Sequence, residues 1–141
     1  MPIYEGSCHC GAIGYAYTTA VPPAEWSIRA CQCRFCRIHG ALSASGPGAT
    51  IAFRAREPEL LRRYRFGLRT ADFLLCQRCG AYIGAMIETP KGRFGIVNTH
   101  ALADPVPATA SAQPISYEGE DTDGRITRRE ERWSPVTEFP G

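Results

Sequence analysis

Short stretches of alternating, β-branched and aromatic character recur along the chain: Ala12–Tyr17, Trp26–Ala30, Thr50–Arg54, Leu60–Phe66, Asp72–Leu75, Tyr82–Ile87 and Phe94–Asn98. A period near two puts alternate side chains on one side of an extended backbone, which is the pattern of a half-buried strand. Glycine and proline mark the gaps, at Val21-Pro22-Pro23, Gly46-Pro47-Gly48 and Thr89-Pro90-Lys91-Gly92, where turns need a preset or a positive φ. Strands this short and numerous predict an all-β fold. Two segments read as helices instead. One is Arg37–Ser43; the other is Asp123–Trp133, polar nearly throughout and so expected at the surface. Ala103–Ser116, rich in alanine and proline, reads as an extended connection. The 141 residues suit one domain, divided into a body over 1–104 and a C-terminal extension over 105–141 that packs on it or trails from it.

Cysteine changes the picture. The seven cysteines fall into three tight clusters: Cys8-His9-Cys10, Cys31-Gln32-Cys33-Arg34-Phe35-Cys36 and Cys76-Gln77-Arg78-Cys79-Gly80. An odd count argues against a fully paired disulfide framework. Cysteines one or two residues apart also bridge each other only with strain. No charged segment leading into an apolar run follows Met1, so no signal peptide is expected, and no apolar run is long enough to span a bilayer. A reducing cytoplasm is the expected location, and there clustered thiols point to metal.

Ligand counting then suggests two zinc ions. Extended backbone aims Cys8 and Cys10 to one side, and Cys76-x-x-Cys79 followed by Gly80 has the spacing of a zinc knuckle. Together these four thiolates make a closed, structural site that would clip the N-terminal strand to a hairpin 66 positions further on. Cys31, Cys33 and Cys36 supply three ligands and leave one face of a second ion unclaimed. Three thiolates on Zn2+ leave a net −1 centre, suited to holding a fourth thiolate rather than to making hydroxide. His39, three residues beyond Cys36, is the competing fourth ligand, because three cysteines and one histidine form a common closed site.

Charge narrows the partners. The formal +2 counts every cysteine as neutral; seven bound thiolates and two Zn2+ would take it to about −1. No general electrostatic case for nucleic acid survives. Arg62-Arg63-Tyr64-Arg65-Phe66 interleaves charge with aromatics as nucleic-acid binders do, but it equally fits an edge strand with a solvated arginine face. His9 reads as a solvated residue and His100 as a residue beside a pocket. Trp26, Trp133, Tyr64 and Tyr82 read as packing residues. Arg34, Arg37 and Asn98 are candidates for gripping substrate carboxylates or amides, since an arginine fork accepts a carboxylate with two bonds.

Gly6-Ser7-Cys8-His9-Cys10-Gly11-Ala12-Ile13, Cys31 through Gly40, and Phe73-Leu74-Leu75-Cys76-Gln77-Arg78-Cys79-Gly80 follow one another in the order seen in the glutathione-dependent formaldehyde-activating enzyme family, which includes centromere protein V. Ile96 through Leu102 resembles the last core strand of that family, and the likeness covers roughly residues 4–104. The resemblance implies a β-tent of small antiparallel sheets stapled by zinc and carbon–sulfur lyase chemistry on glutathione and formaldehyde. Carried over by position, Cys8, Cys10, Cys76 and Cys79 match the structural zinc ligands, and Cys31, Cys33 and Cys36 the catalytic ones. Two classes of function follow. One is an enzyme acting on an aldehyde adduct of glutathione or another small thiol; the other is a non-catalytic, zinc-stabilised module binding protein or nucleic acid.

Overall fold

The computed structural model describes residues 1–140. Strand makes up 39% and helix 22%, so the protein is mostly β rather than all-β. The strands are β1 (Ile3–Ser7), β2 (Ile13–Thr18), β3 (Arg29–Cys31), β4 (Ser43–Ala44), β5 (Thr50–Ala55), β6 (Leu61–Tyr64), β7 (Asp72–Cys76), β8 (Tyr82–Thr89), β9 (Gly92–Asn98), β10 (Gln113–Ile115) and β11 (Ser134–Glu138). Two α-helices join them, α1 (Arg34–His39) and α2 (Thr122–Arg132).

All eleven strands form one hydrogen-bonded, mixed network rather than separate antiparallel sheets. β9 is its hub. One edge of β9 carries β8, and through it β7 and β6. The other edge pairs with β11 at Phe94 and Gly95 and with β4 at Val97 and Asn98. Beyond β11 lie β5, β2 and β1; beyond β4 lie β3 and β10. Both parallel pairs, β11 with β5 and β10 with β3, are made by the C-terminal segment. The stretch expected to be a plain connection therefore includes β10 and a short 3-10 turn at Pro107–Ser111.

Two cores flank this network. The larger packs Ile13, Tyr17, Trp26, Ile51, Phe53 and Val97. The smaller joins Cys36, Phe73, Tyr82, Ile87, Ile96 and Trp133. β8 contributes to both. Tyr82, Ala85 and Ile87 face the smaller core, while Ile83 and Met86 face the larger. The phase change between Tyr82 and Ala85 coincides with a register shift opposite Leu74 and Leu75, a bulge that re-aims a side chain. Without it, Tyr82 would lie on the other face of the sheet.

Helix α1 starts earlier than the apolar pattern suggested. Cys33 is its N-cap, with its sulfur accepting from the Cys36 backbone N–H, and Gly40 in the left-handed region ends it before Ser43, which joins β4. The helix thus begins inside the cysteine cluster and holds Cys33 and Cys36 one turn apart. β3 is also shorter than expected. Trp26 lies outside the ladder, packed edge-on against Tyr4 and Tyr17. β6 pairs only with β7, which makes it an edge strand, and its flank is tied down by Arg63 and Arg65 on the buried Asp72.

Deleting residues 105–141 removes β11 and leaves facing edges of β5 and β9 unpaired. We expect the 1–104 fragment to lose cooperative melting by circular dichroism and to aggregate. A fragment melting cooperatively within a few degrees of the full chain would contradict this dependence.

Candidate metal centre and its cavity

The turn between β1 and β2 and the turn between β7 and β8 meet, and their four cysteines come together. The Sγ atoms of Cys8, Cys10, Cys76 and Cys79 all lie within 4.8 Å of one another. Cys8 to Cys10 is 3.7 Å and Cys10 to Cys76 is 3.6 Å. Tetrahedral zinc–sulfur bonds of about 2.3 Å place neighbouring sulfurs about 3.8 Å apart, so the spacing fits. Cys8 and Cys10 sit in a turn rather than in extended backbone. The two turns are built alike: the N–H groups of Gly11 and Gly80 bond back to the carbonyls of Cys8 and Cys76 at 3.1 and 2.8 Å. Both glycines have φ near +80°, where a Cβ would be strained. Backbone N–H groups then reach the sulfurs, Ile13 to Cys8 at 3.4 Å and Cys79 to Cys76 at 3.5 Å. At Cys76 burial is the larger effect and raises the thiol to about 11, against the lowering pull of the Cys79 N–H.

The second cluster gathers Cys31 from the end of β3, Cys33 at the N-cap of α1 and Cys36 within that helix. None of the seven cysteines forms a disulfide. Among the described residues no histidine or carboxylate joins the three sulfurs as a fourth potential ligand. The Nδ1 atom of His39 is instead 2.9 Å from the Phe35 carbonyl, and its ring packs on Phe35 and Tyr82.

The donor chemistry of this second cluster fits a cation. The sulfurs shift one another in opposite directions: contacts with Cys31 and Cys36 pull Cys33 well down, whereas contacts with its two neighbours, aided by burial, push Cys36 far up. Three adjacent thiols cannot all ionise unless positive charge sits among them. Tyr82 gives a second sign. Its hydroxyl is buried and finds no hydrogen-bond partner among the described residues. Burial first, then the charges of Cys36, Cys31 and Cys33, hold the phenol protonated. An O–H donor without an acceptor, beside three sulfurs, suits an anionic thiolate centre.

This cluster opens onto a cavity of about 450 Å3, within the range of small-molecule sites. Phe66, Phe73, Ile96 and Trp133 give it an apolar wall. Arg34 and Arg37 line it near the cysteines, both exposed, with the Arg37 Nε donating to the Gln32 carbonyl. Arg29, Arg125, Arg128 and Arg129 form a further basic wall. Asn98 does not line the cavity. It is buried; its Nδ2 donates to the Tyr82 carbonyl and its Oδ1 accepts from Leu42 and His100, so its polar groups are taken up by the fold. His9 and His100 are exposed and lie outside both clusters.

Residues 3–117 match the sequence model of the glutathione-dependent formaldehyde-activating enzyme family. The chain belongs to that family. A crystal structure of a Rhodobacter sphaeroides protein, a structural-genomics target, is similar at 30% identity and a TM-score of 0.57, over 78% of this chain and 97% of that one. No curated protein matches. The formaldehyde-activating family match contains all seven cysteines and ends before α2.

What the sequence did not disclose is the basic wall. Arg129 is one of fifteen arginines in the chain, and α2 appeared to be a polar surface helix. In the fold, Arg129 and the adjoining Trp133 are buried against the cavity. The available signal was the aromatic at the end of an otherwise polar helix, which marks the end that docks.

Loop closure makes the two clusters unequal. Metal at the four-cysteine cluster would join turns 66 residues apart, from Cys10 to Cys76, whereas the second cluster is local in sequence. Cys76→Ala should lower Tm by on the order of 10 °C, and Cys36→Ala by only a few degrees. Thermal melts alongside metal analysis check this, and equal losses would remove the distinction.

Proposed function

We propose that this protein is a zinc-dependent carbon–sulfur lyase-like enzyme that joins a small thiol to an aldehyde, or releases the aldehyde from the adduct, with glutathione and formaldehyde the first pair to test. The observation that carries the proposal is the cluster of Cys31, Cys33 and Cys36 facing a cavity, with no fourth protein ligand beside it among the described residues. Family membership supports the substrate class.

Two zinc ions are proposed per chain. Cys8, Cys10, Cys76 and Cys79 hold the first, with no vacant position and a structural role. Cys31, Cys33 and Cys36 hold the second. A zinc ion there supplies one thing: it keeps a substrate thiol deprotonated at neutral pH. The residues of the chain do the rest. The backbone N–H of Cys36 orients the Cys33 sulfur. The apolar wall excludes water from the reacting carbon, which protects a hemithioacetal that would otherwise exchange with solvent. The basic wall offers charge-assisted bonds to carboxylates remote from the sulfur. In the synthetic direction the thiol sulfur bonds to the aldehyde carbon, and the thiol proton is returned to the carbonyl oxygen. No electrons are gained or lost, so no redox cofactor is required.

Among the described residues no helix is long and apolar enough to cross a membrane. Seven free cysteines fit the proposed cytoplasmic setting, where thiols stay reduced.

An ion with an open face should leave before one enclosed by four thiolates. Timed chelation with thiol counting should therefore show two phases, with three cysteines becoming reactive in the first. A single phase releasing both metals would count against an open site.

Glutathione added to the zinc-loaded protein should release close to one proton at neutral pH, because a free thiol with a pKa of about 8.5 is mostly protonated there. Calorimetry in buffers of different ionisation enthalpy measures that proton. Cobalt substitution should add a sulfur-to-metal charge-transfer band on thiol binding. No response to any small thiol in either experiment would refute the enzyme and leave the non-catalytic module.

A further inference from the structure

Most charged side chains that reach the core or the cavity are neutralised. Asp72 takes Arg63 and Arg65, and Glu120 takes Arg125 and Arg128. Four arginines on the cavity wall are not: Arg34 and Arg37, which are exposed to solvent, and Arg129 and Arg29, of which the first is buried and the second half-buried. Arg129 is only 7% exposed. Its Nη1 donates to the Thr70 hydroxyl at 2.7 Å, its guanidinium carbon lies 4.7 Å from the centre of the Trp133 ring, and its Nε has no partner. Arg29, on β3, bonds the Ser45 hydroxyl through Nη2, and its Nε is also buried and without a partner. Neither forms an ion pair among the described residues.

A buried cation without an anion is costly, and breaking such a pair is among the more damaging single changes a protein can suffer. Burial, followed by the charges of Arg128 and Arg125, pulls Arg129 down to about 10. At that value it is still a cation at neutral pH. Arg29 and Arg129 both line the same cavity as Cys31, Cys33 and Cys36. Among the described residues Glu118 is the one carboxylate on that lining, against six arginines. The cavity lining thus combines three sulfurs with six guanidiniums, and two of these guanidiniums, Arg29 and Arg129, are drawn in from solvent without a counter-charge.

We propose that Arg29 and Arg129 form a carboxylate-binding end of this cavity, so that the site selects small thiols bearing a carboxylate remote from sulfur over neutral thiols of the same size. Glutathione, with two carboxylates and one thiol, belongs to this class. The sulfur end rests on the reading given under Proposed function, whereas the carboxylate end stands on the buried Arg129 and the half-buried Arg29. Arg129 lies on α2, beyond the segment matched by the family at 3–117. The C-terminal helix accordingly supplies one of the two guanidiniums, and β3, within the matched segment, supplies the other. Trp133 gives Arg129 a rigid face to stack on, and Thr70 fixes its fork, so the donors are held in place before a ligand arrives.

S-Methylglutathione isolates this end, because its sulfur cannot ionise. Calorimetry with the zinc-loaded full chain should show S-methylglutathione binding at least about tenfold more tightly than its diethyl ester, the scale of a lost charge-assisted bond. Arg129→Met should reduce S-methylglutathione affinity by a similar factor. Should that variant fail to fold, Arg29→Met supplies the same comparison. In either variant the cobalt charge-transfer band given by 2-mercaptoethanol, a neutral thiol, should be unchanged. Equal affinity for the acid and the ester, or wild-type affinity in both variants, would overturn the carboxylate end. Inorganic phosphate competing as well as S-methylglutathione would also overturn it, since the site would then be a general anion site. Arginine-dependent binding of S-methylglutathione with no thiol response at cobalt would support the carboxylate end while sinking the sulfur reading.

Discussion

An unpaired strand edge inside a fold has to be satisfied, because buried N–H and C=O groups cost too much when left alone. β5 and the first half of β9 present two such edges, and the chain fills the gap with β11. The arrangement of the cavity follows from that insertion. Ser134, fully buried, locks the start of β11 by donating to and accepting from the backbone of Gly46. The helix before it is thereby fixed over the smaller core, with Trp133 packed and Arg129 held on the cavity wall between Thr70 and Trp133. The tail is the fourth wall of the site.

Charge then gives the cavity two kinds of lining group. Three thiolates on a divalent cation leave a negative centre, and six arginines line the same space. A neutral or cationic substrate would find little complementarity at the basic wall. In the proposed reading an acidic thiol would satisfy both kinds of group, with sulfur to the metal and carboxylate to the guanidiniums. Enclosure strengthens each of these interactions, because charges separated by low-dielectric walls are weakly screened. The orphan hydroxyl of Tyr82 belongs to the same logic, as a donor placed behind an anionic centre.

The cysteines were readable because their spacing is itself the geometry: two turns or one helical turn suffice to converge the sulfurs. β5 was readable because alternation in Thr50–Ala55 reflects burial on one face, and β7, β8 and β9 because their short apolar runs are buried on both faces. Other features depend on partners distant in the chain. Ser134-Pro135-Val136 carries no local sign that it pairs with Ile51 on one side and Gly95 on the other. β4 is two residues long and β10 contains a proline, so neither offers a period to detect. The turn geometry of Cys8 and Cys10 was misread as extended because residues two apart can share a side in either state; Gly11 with positive φ was the discriminating feature. Arg129 could not be told from its neighbours in α2, since partner and burial come only from the docking of that helix.

The central claim is that the metal at Cys31, Cys33 and Cys36 keeps a position open for a thiol. X-ray absorption at the zinc K-edge on the fully loaded protein reads this directly. Seven cysteine ligands shared by two ions predict an average of about 3.5 sulfurs per zinc, with one lighter atom completing the second site, rising to about 4 when glutathione is added. A sulfur count that glutathione does not change, with the outer-shell scattering of an imidazole ring present throughout, would place His39 on the metal and contradict the account.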